Sequence, residues 1–292
     1  MKYMKVKDAI EHILLFGKEY KVRTITDSKN ILIMIRDKFA EKCVVDLSTL
    51  DLAPFLKSKL GLNDKLLNGY LRRTKSLWNS NYDARYASNQ VASLKWERHT
   101  NNTLRNLFNS RRFNPKRVLE LGCGSGRDAI FMAQKGCDVT AVDISPIAIE
   151  IATKRAEMKG VKCSFVVNNI FDLKLKKKSF DLILDNGCFH HVPFLLHGSY
   201  VKMILELLIA RGYFYLLCHN PNPYPINYLS SYLGPTLTKT VNYLFNGVAE
   251  SYFTEKEIRM IFSDRFKICR ISTVYNDQNK PFDYLECLMK KF

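Results

Sequence analysis

Residues 118–126 read Val-Leu-Glu-Leu-Gly-Cys-Gly-Ser-Gly, an apolar run that ends in three alternating glycines. Glycine has no Cβ, so at Gly122 and Gly124 the backbone can turn tightly and touch a ligand. Glu120 stands just before the turn, and Asp143 follows about 20 residues later, at the end of the next apolar segment. A carboxylate placed there can accept hydrogen bonds from both ribose hydroxyls of an adenosine-type ligand. A second constellation, Asp185, Cys188, His190 and His191, closes another apolar run. An imidazole ionises near neutral pH and can take a proton from a reacting group.

These residues need elements to position them. Strand patterns alternating with helix-length amphipathic segments begin near Arg117 and continue to the C-terminus, the pattern of a parallel sheet with helices on both faces. Strands are expected at 117–121, 138–142, 163–167, 180–184 and 213–218, with a closing pair at 267–275 and 283–290 around a turn-like 276–281. The helix over 128–134 closes at Gly136. Ser145 caps a second, with Pro146 in its first turn, running over 147–158 and stopping at Gly160. A third is expected over 194–210, ending at Gly212, and Thr254 with Glu257 forms a capping box for a short one through Phe262. Residues 1–75 suggest a separate small α/β module, and 76–292 a Rossmann-like seven-stranded α/β domain.

A glycine turn followed by an acidic residue is shared with dinucleotide enzymes, whose fingerprint is G-x-G-x-x-G facing a pyrophosphate. Here the order is Glu120-x-Gly122-x-Gly124-x-Gly126. This is the E-x-G-x-G-x-G form of S-adenosylmethionine enzymes, whose cofactor has no phosphate and carries an ammonium that a carboxylate favours. The chain thus resembles the class I S-adenosylmethionine-dependent methyltransferases. With Trp78, Asp83, Arg85, Tyr86, Trp96 and Glu97 upstream, and Cys188-Phe189-His190-His191 after the fourth strand, it is most similar to the thiopurine S-methyltransferase and tellurite-resistance group. That resemblance spans roughly 77–292.

The resemblance implies cofactor contacts from Glu120, Gly122, Cys123, Gly124, Asp143, Ile144, Asn169, Ile170 and Asp185. Ile144 and Ile170 would cover the adenine. Asn169 stands where the family usually has Asp, although its amide oxygen can accept the same bond. Trp78 and Trp96 would help close a lid, and residues 185–191 would face the methyl acceptor, with His190, His191 or Asp185 available to accept a proton. One histidine could instead pack under the loop while the other caps the following helix. Cys188 is not expected to act as a nucleophile, because direct transfer needs no covalent intermediate. Asn220-Pro221-Asn222-Pro223-Tyr224 looks like the tetrad of amino-group methylases but follows the fifth strand, so it more simply shapes a loop.

Composition narrows the partners. The net charge is +17, but the excess is spread along the chain without an aromatic–basic stripe, so a nucleic-acid partner is not favoured. None of the eight cysteines forms a C-x-x-C pair, and no histidine cluster has zinc-ligand spacing, so no metal is expected. No secretory signal or membrane-length apolar run is evident, and a cytoplasmic enzyme is expected. The expected activity is methyl transfer to a small-molecule acceptor, a thiol or similar soft nucleophile. RNA or protein methylation and a non-catalytic cofactor-binding module are the alternatives.

Overall fold

A computed structural model of the chain describes residues 37–38, 83–84, 86–87, 102–110, 113–192, 196–221, 252–274 and 282–292. The β-branched and apolar runs form seven strands. They are β1 (Arg117–Leu121), β2 (Asp138–Asp143), β3 (Ser164–Val167), β4 (Phe180–Asn186), β5 (Leu208–Pro221), β6 (Phe266–Val274) and β7 (Phe282–Lys291). The helices are α1 (Asn102–Asn109), α2 (Arg127–Gln134), α3 (Pro146–Met158), α4 (His197–Leu207) and α5 (Glu255–Phe262). Ser145 caps α3 by accepting from the Ala148 N–H at 3.1 Å, with Pro146 in the first turn. Thr254 and Glu257 form a reciprocal capping box at α5. Each such cap stabilises its helix by about 1 kcal/mol.

The strands make one sheet of order β3-β2-β1-β4-β5-β7-β6, parallel from β3 to β5 and antiparallel where β7 meets β5 and β6. Alternate residues of the central strands enter two cores. Leu119, Leu121, Ile183, Phe214 and Leu216 face Tyr200 and Ile204 of α4 and Ile258 and Phe262 of α5. Val118, Leu182, Leu184 and Tyr215 face Ala129 and Met132 of α2 and Leu104 of α1. The strand order reverses between β1 and β4, which opens a crevice beyond their carboxyl ends, the usual ligand position in open α/β sheets.

Two expected boundaries change. The helix expected over 194–210 is α4, ending at Leu207, and β5 already begins at Leu208. Gly212 lies inside β5 and does not close the helix. The register with β4 jumps between the pairs Phe180–Leu208 and Leu182–Tyr213. Residues 209–212 therefore bulge opposite Asp181, with Arg211 at φ 60°. The bulge separates Leu208, at the helix end, from the regular strand that starts where the sequence places it. β4 also extends two residues past 184, carrying Asp185 and Asn186 into the sheet.

The 1–75 module (apart from residues 37–38), Trp78, Arg85, Trp96, Glu97, residues 222–224 and the whole 276–281 turn lie outside the described residues. Among the described residues no helix is long and apolar enough to cross a membrane, and no His, Cys, Asp or Glu group could hold a metal ion.

Candidate active site

The loop from β1 into α2 turns through three left-handed glycines, Gly122 (φ 67°), Gly124 (φ 54°) and Gly126 (φ 78°). Two of them also admit neighbouring protein. A Cβ on Gly122 would stand 2.8 Å from the Cβ of Cys188, and one on Gly126 would stand 2.7 Å from the Cβ of Ala152. The missing side chains thus let the loop after β4 and the helix α3 close against the turn.

Asp143, at the end of β2, is tied to that turn. Its Oδ2 accepts from the Gly124 N–H at 2.8 Å, and its Oδ1 accepts from the Ser145 N–H at 2.9 Å. Burial raises the Asp143 pKa, while the amides of Ser145, Gly124 and Ile144 pull it back. Each oxygen retains a lone pair for an incoming hydroxyl. Glu120 is buried beneath α2, with its Oε2 lacking a hydrogen-bond partner. Burial, and then the charge of Asp128, hold its pKa well above the usual range. Asp128 is itself satisfied by Arg127 at 2.7 Å and by the Asn186 amide at 2.6 Å. An orphaned buried carboxylate oxygen beside a glycine turn, with a second carboxylate at the next strand end, suits a ligand bringing an ammonium group and a vicinal diol.

The other expected contacts divide. Cys123 is buried, its N–H bonded to the Val142 carbonyl at 3.0 Å, so it reaches the site through its backbone. Ile144 is half-buried beside Asp143. Asn169 uses its amide oxygen to accept from the Phe171 N–H at 3.0 Å, capping the 3-10 turn Ile170–Asp172. Ile170, half-buried, packs against the α4-side core.

Asp185 is fully buried and points inward. Its Oδ1 accepts from the N–H groups of Cys188 at 2.8 Å and Phe189 at 3.1 Å, and its other oxygen accepts from the Tyr200 hydroxyl. Burial pushes its pKa up to about 6, against those hydrogen bonds. The Asp185 carboxylate thus ties the turn after β4 to Tyr200 of α4.

His190 and His191 sit on that turn, in the 3-10 segment Phe189–His191. The His190 ring stacks on His219 of β5, with centroids 3.7 Å apart and planes 16° from parallel, and lies 4.2 Å from the His191 ring. Burial, with the neighbouring imidazoles, holds His190 well below its ordinary pKa. His190 is therefore a buried neutral imidazole, and His191 is half-buried beside it. His219 was not legible as a site residue, because only the β4–β5 pairing brings it to His190. Asp83 is another such arrival, its carboxylate accepting from the Ser145 hydroxyl.

Residues 118–212 match the family model described as "Methyltransferase domain". Over that segment the chain is similar to methyltransferase domains, and its sheet is the Rossmann-like α/β fold of methyltransferases. The domain shares 38% identity over 79 residues with the magnesium-protoporphyrin O-methyltransferase of Rhodobacter capsulatus, covering 26% of this chain and 35% of that one. It shares 34% over 128 residues with a ubiquinone biosynthesis O-methyltransferase of Xanthomonas axonopodis pv. citri, covering 43% and 53%. The chain thus spans between about a third and a half of the length of these curated relatives.

Among solved structures, the fold is similar to the 1,6-didemethyltoxoflavin-N1-methyltransferase of Burkholderia thailandensis (TM-score 0.56, 22% identity, 74% and 88% coverage). It is also similar to the magnesium protoporphyrin IX methyltransferase of Synechocystis PCC 6803 (0.53, 20%, 75% and 100%). Both were solved with S-adenosylhomocysteine bound.

Proposed function

We propose that the chain binds S-adenosylmethionine through the methyltransferase domain and moves its methyl group to a small-molecule acceptor, a thiol or similar soft nucleophile. The observation that carries the cofactor half is the pairing of Asp143, wired to Gly124 and Ser145, with the unpartnered oxygen of buried Glu120. In this reading Asp143 accepts from the ribose hydroxyls and Glu120 favours the ammonium. When bound, S-adenosylmethionine supplies an electrophilic methyl on a sulfonium. The protein's part is alignment and exclusion of water, and positioning alone can contribute on the order of 7–11 kcal/mol.

The acceptor half rests on what the 185–191 turn offers. Asp185 has both oxygens engaged, and His190 is buried and neutral. Of the expected bases, half-buried His191 is the most accessible. Such a site suits an acceptor that ionises by itself near neutrality, as a thiol of pKa about 8.5 does. The named curated relatives are O-methyltransferases, and this favours a hydroxyl acceptor as the second reading, with His191 taking the proton.

The test is incubation of the purified protein with methyl-labelled S-adenosylmethionine and a cell extract, followed by fractionation. Label in the low-mass or volatile fraction is expected, after which panels of thiols and phenols separate the two acceptors. Label confined to RNA or protein would remove the small-molecule reading. In the same assay Asp143→Ala should weaken cofactor affinity at least about tenfold, the loss of charge-assisted hydrogen bonds. Unchanged affinity would mean that the ribose lies elsewhere.

A further inference from the structure

The glycine turn, Asp143 and Ser145 form one hydrogen-bonded chain, and it does not stop at the domain core. Gly124 N–H meets one Asp143 oxygen, Ser145 N–H meets the other, and the Ser145 hydroxyl donates to the carboxylate of Asp83. Asp83 lies 62 residues upstream of Ser145, outside the matched segment. Its own segment is helical at residues 83–84 and 86–87, with Asp83 half-buried and Tyr86 buried. Ser145 is wholly buried and spends its oxygen lone pair on the α3 cap, so its one hydroxyl proton is committed to Asp83. A carboxylate here also faces the N-terminal end of α3, where negative charge is favoured.

We propose that Asp83 is a positioning residue for the cofactor: its bond to Ser145 docks residues 83–84 and 86–87 beside Asp143 and makes them one wall of the ribose end of the site. The inference rests on the cofactor reading above. The docking bond reaches Asp143 through Ser145, which also caps α3. Ligand binding and docking of the segment therefore stabilise one another. The role belongs to the hydrogen bond and not to the charge, since the Ser145 hydroxyl needs only an acceptor oxygen, which an asparagine amide also offers.

The experiment is calorimetric titration of the full-length protein with S-adenosylhomocysteine, a ligand that needs no acceptor. Hydrogen exchange of the amides of residues 83–87 is followed in parallel. Asp83→Ala should weaken binding about tenfold, as loss of one buried hydrogen bond does, while Asp83→Asn stays within about threefold of wild type. In the wild type, ligand should slow exchange at residues 83–87, and in Asp83→Ala it should not. Should Asp83→Ala fail to fold, the wild-type exchange decides alone: unchanged protection on ligand binding overturns the proposal. It is equally overturned if Asp83→Ala binds as wild type, or if Asp83→Asn is as weak as Asp83→Ala. A wild type that binds no S-adenosylhomocysteine overturns the cofactor reading itself, a result distinct from either of those.

Discussion

At Gly122 two requirements meet in one residue: a left-handed backbone and an absent side chain. The φ of 67° costs an L-residue about 1 kcal/mol or more. The 2.8 Å approach of a would-be Cβ to the Cβ of Cys188 adds an overpacking cost of about 1–3 kcal/mol. Gly122→Ala should therefore lower the urea midpoint by an amount equivalent to several kcal/mol. The second site distinguishes the two causes. Adding Cys188→Ala keeps the clashing Cβ and should recover almost nothing, whereas Cys188→Gly should recover the steric part and leave the backbone strain. If Gly122→Ala unfolds like wild type, the loop after β4 does not pack against the turn as described. Asp143 and Ser145 were legible in sequence because strand ends and helix caps announce themselves locally. Asp83 was legible only as part of an upstream resemblance, and His219 not at all. Each reaches the site across the fold, a relation that residue spacing cannot encode.

Local signals also decided which elements could be placed from the sequence. The N-cap of α3, the capping box of α5 and the ends of β1 and β2 follow from short-range chemistry and stand within a residue of their expected places. The end of α4 did not, because Gly212 imitates a helix stop while serving a bulge in β5 that only the β4 register reveals. Strand order was equally silent, and it is the β4–β5 neighbourhood that stacks His190 on His219. That stack has a pH consequence. His190 is held neutral in the native state, well below the value of about 6.5 it takes in the unfolded chain. Below pH of about 6.5 the unfolded state binds the extra proton, so stability present above that pH is lost as pH falls towards the depressed native value. Asp185, raised to about 6, acts in the opposite sense: its contribution is present below its unfolded value and lost as pH rises through about 6. Comparing His190→Gln with wild type cancels Asp185. Between pH 6.5 and 5 the wild type should lose stability faster than the variant, by up to about 1.4 kcal/mol per pH unit. Urea titrations at three pH values check this, and parallel slopes would mean that His190 titrates freely.

For the molecule as a whole, charge and site pull in different directions. The chain carries +17, yet the ligand crevice gathers Glu120, Asp143 and Asp83, with Asp128 and Asp185 buried close behind. A diffuse positive surface attracts polyanions by counterion release without choosing a sequence or an orientation. A carboxylate-lined crevice repels a phosphate backbone and favours a cationic ligand, as a sulfonium is. Binding to nucleic acid and delivery of nucleic acid to the reacting methyl are then separate events, and the second is opposed by the charge of the site. The chain should accordingly be retained on heparin and released steeply by salt, while methyl incorporation from labelled S-adenosylmethionine in a cell extract stays the same after nuclease treatment. Loss of incorporation on nuclease treatment, with the labelled product found in RNA, would show that the positive surface steers a macromolecular acceptor. Retention on heparin without that loss assigns the charge to surface and solubility.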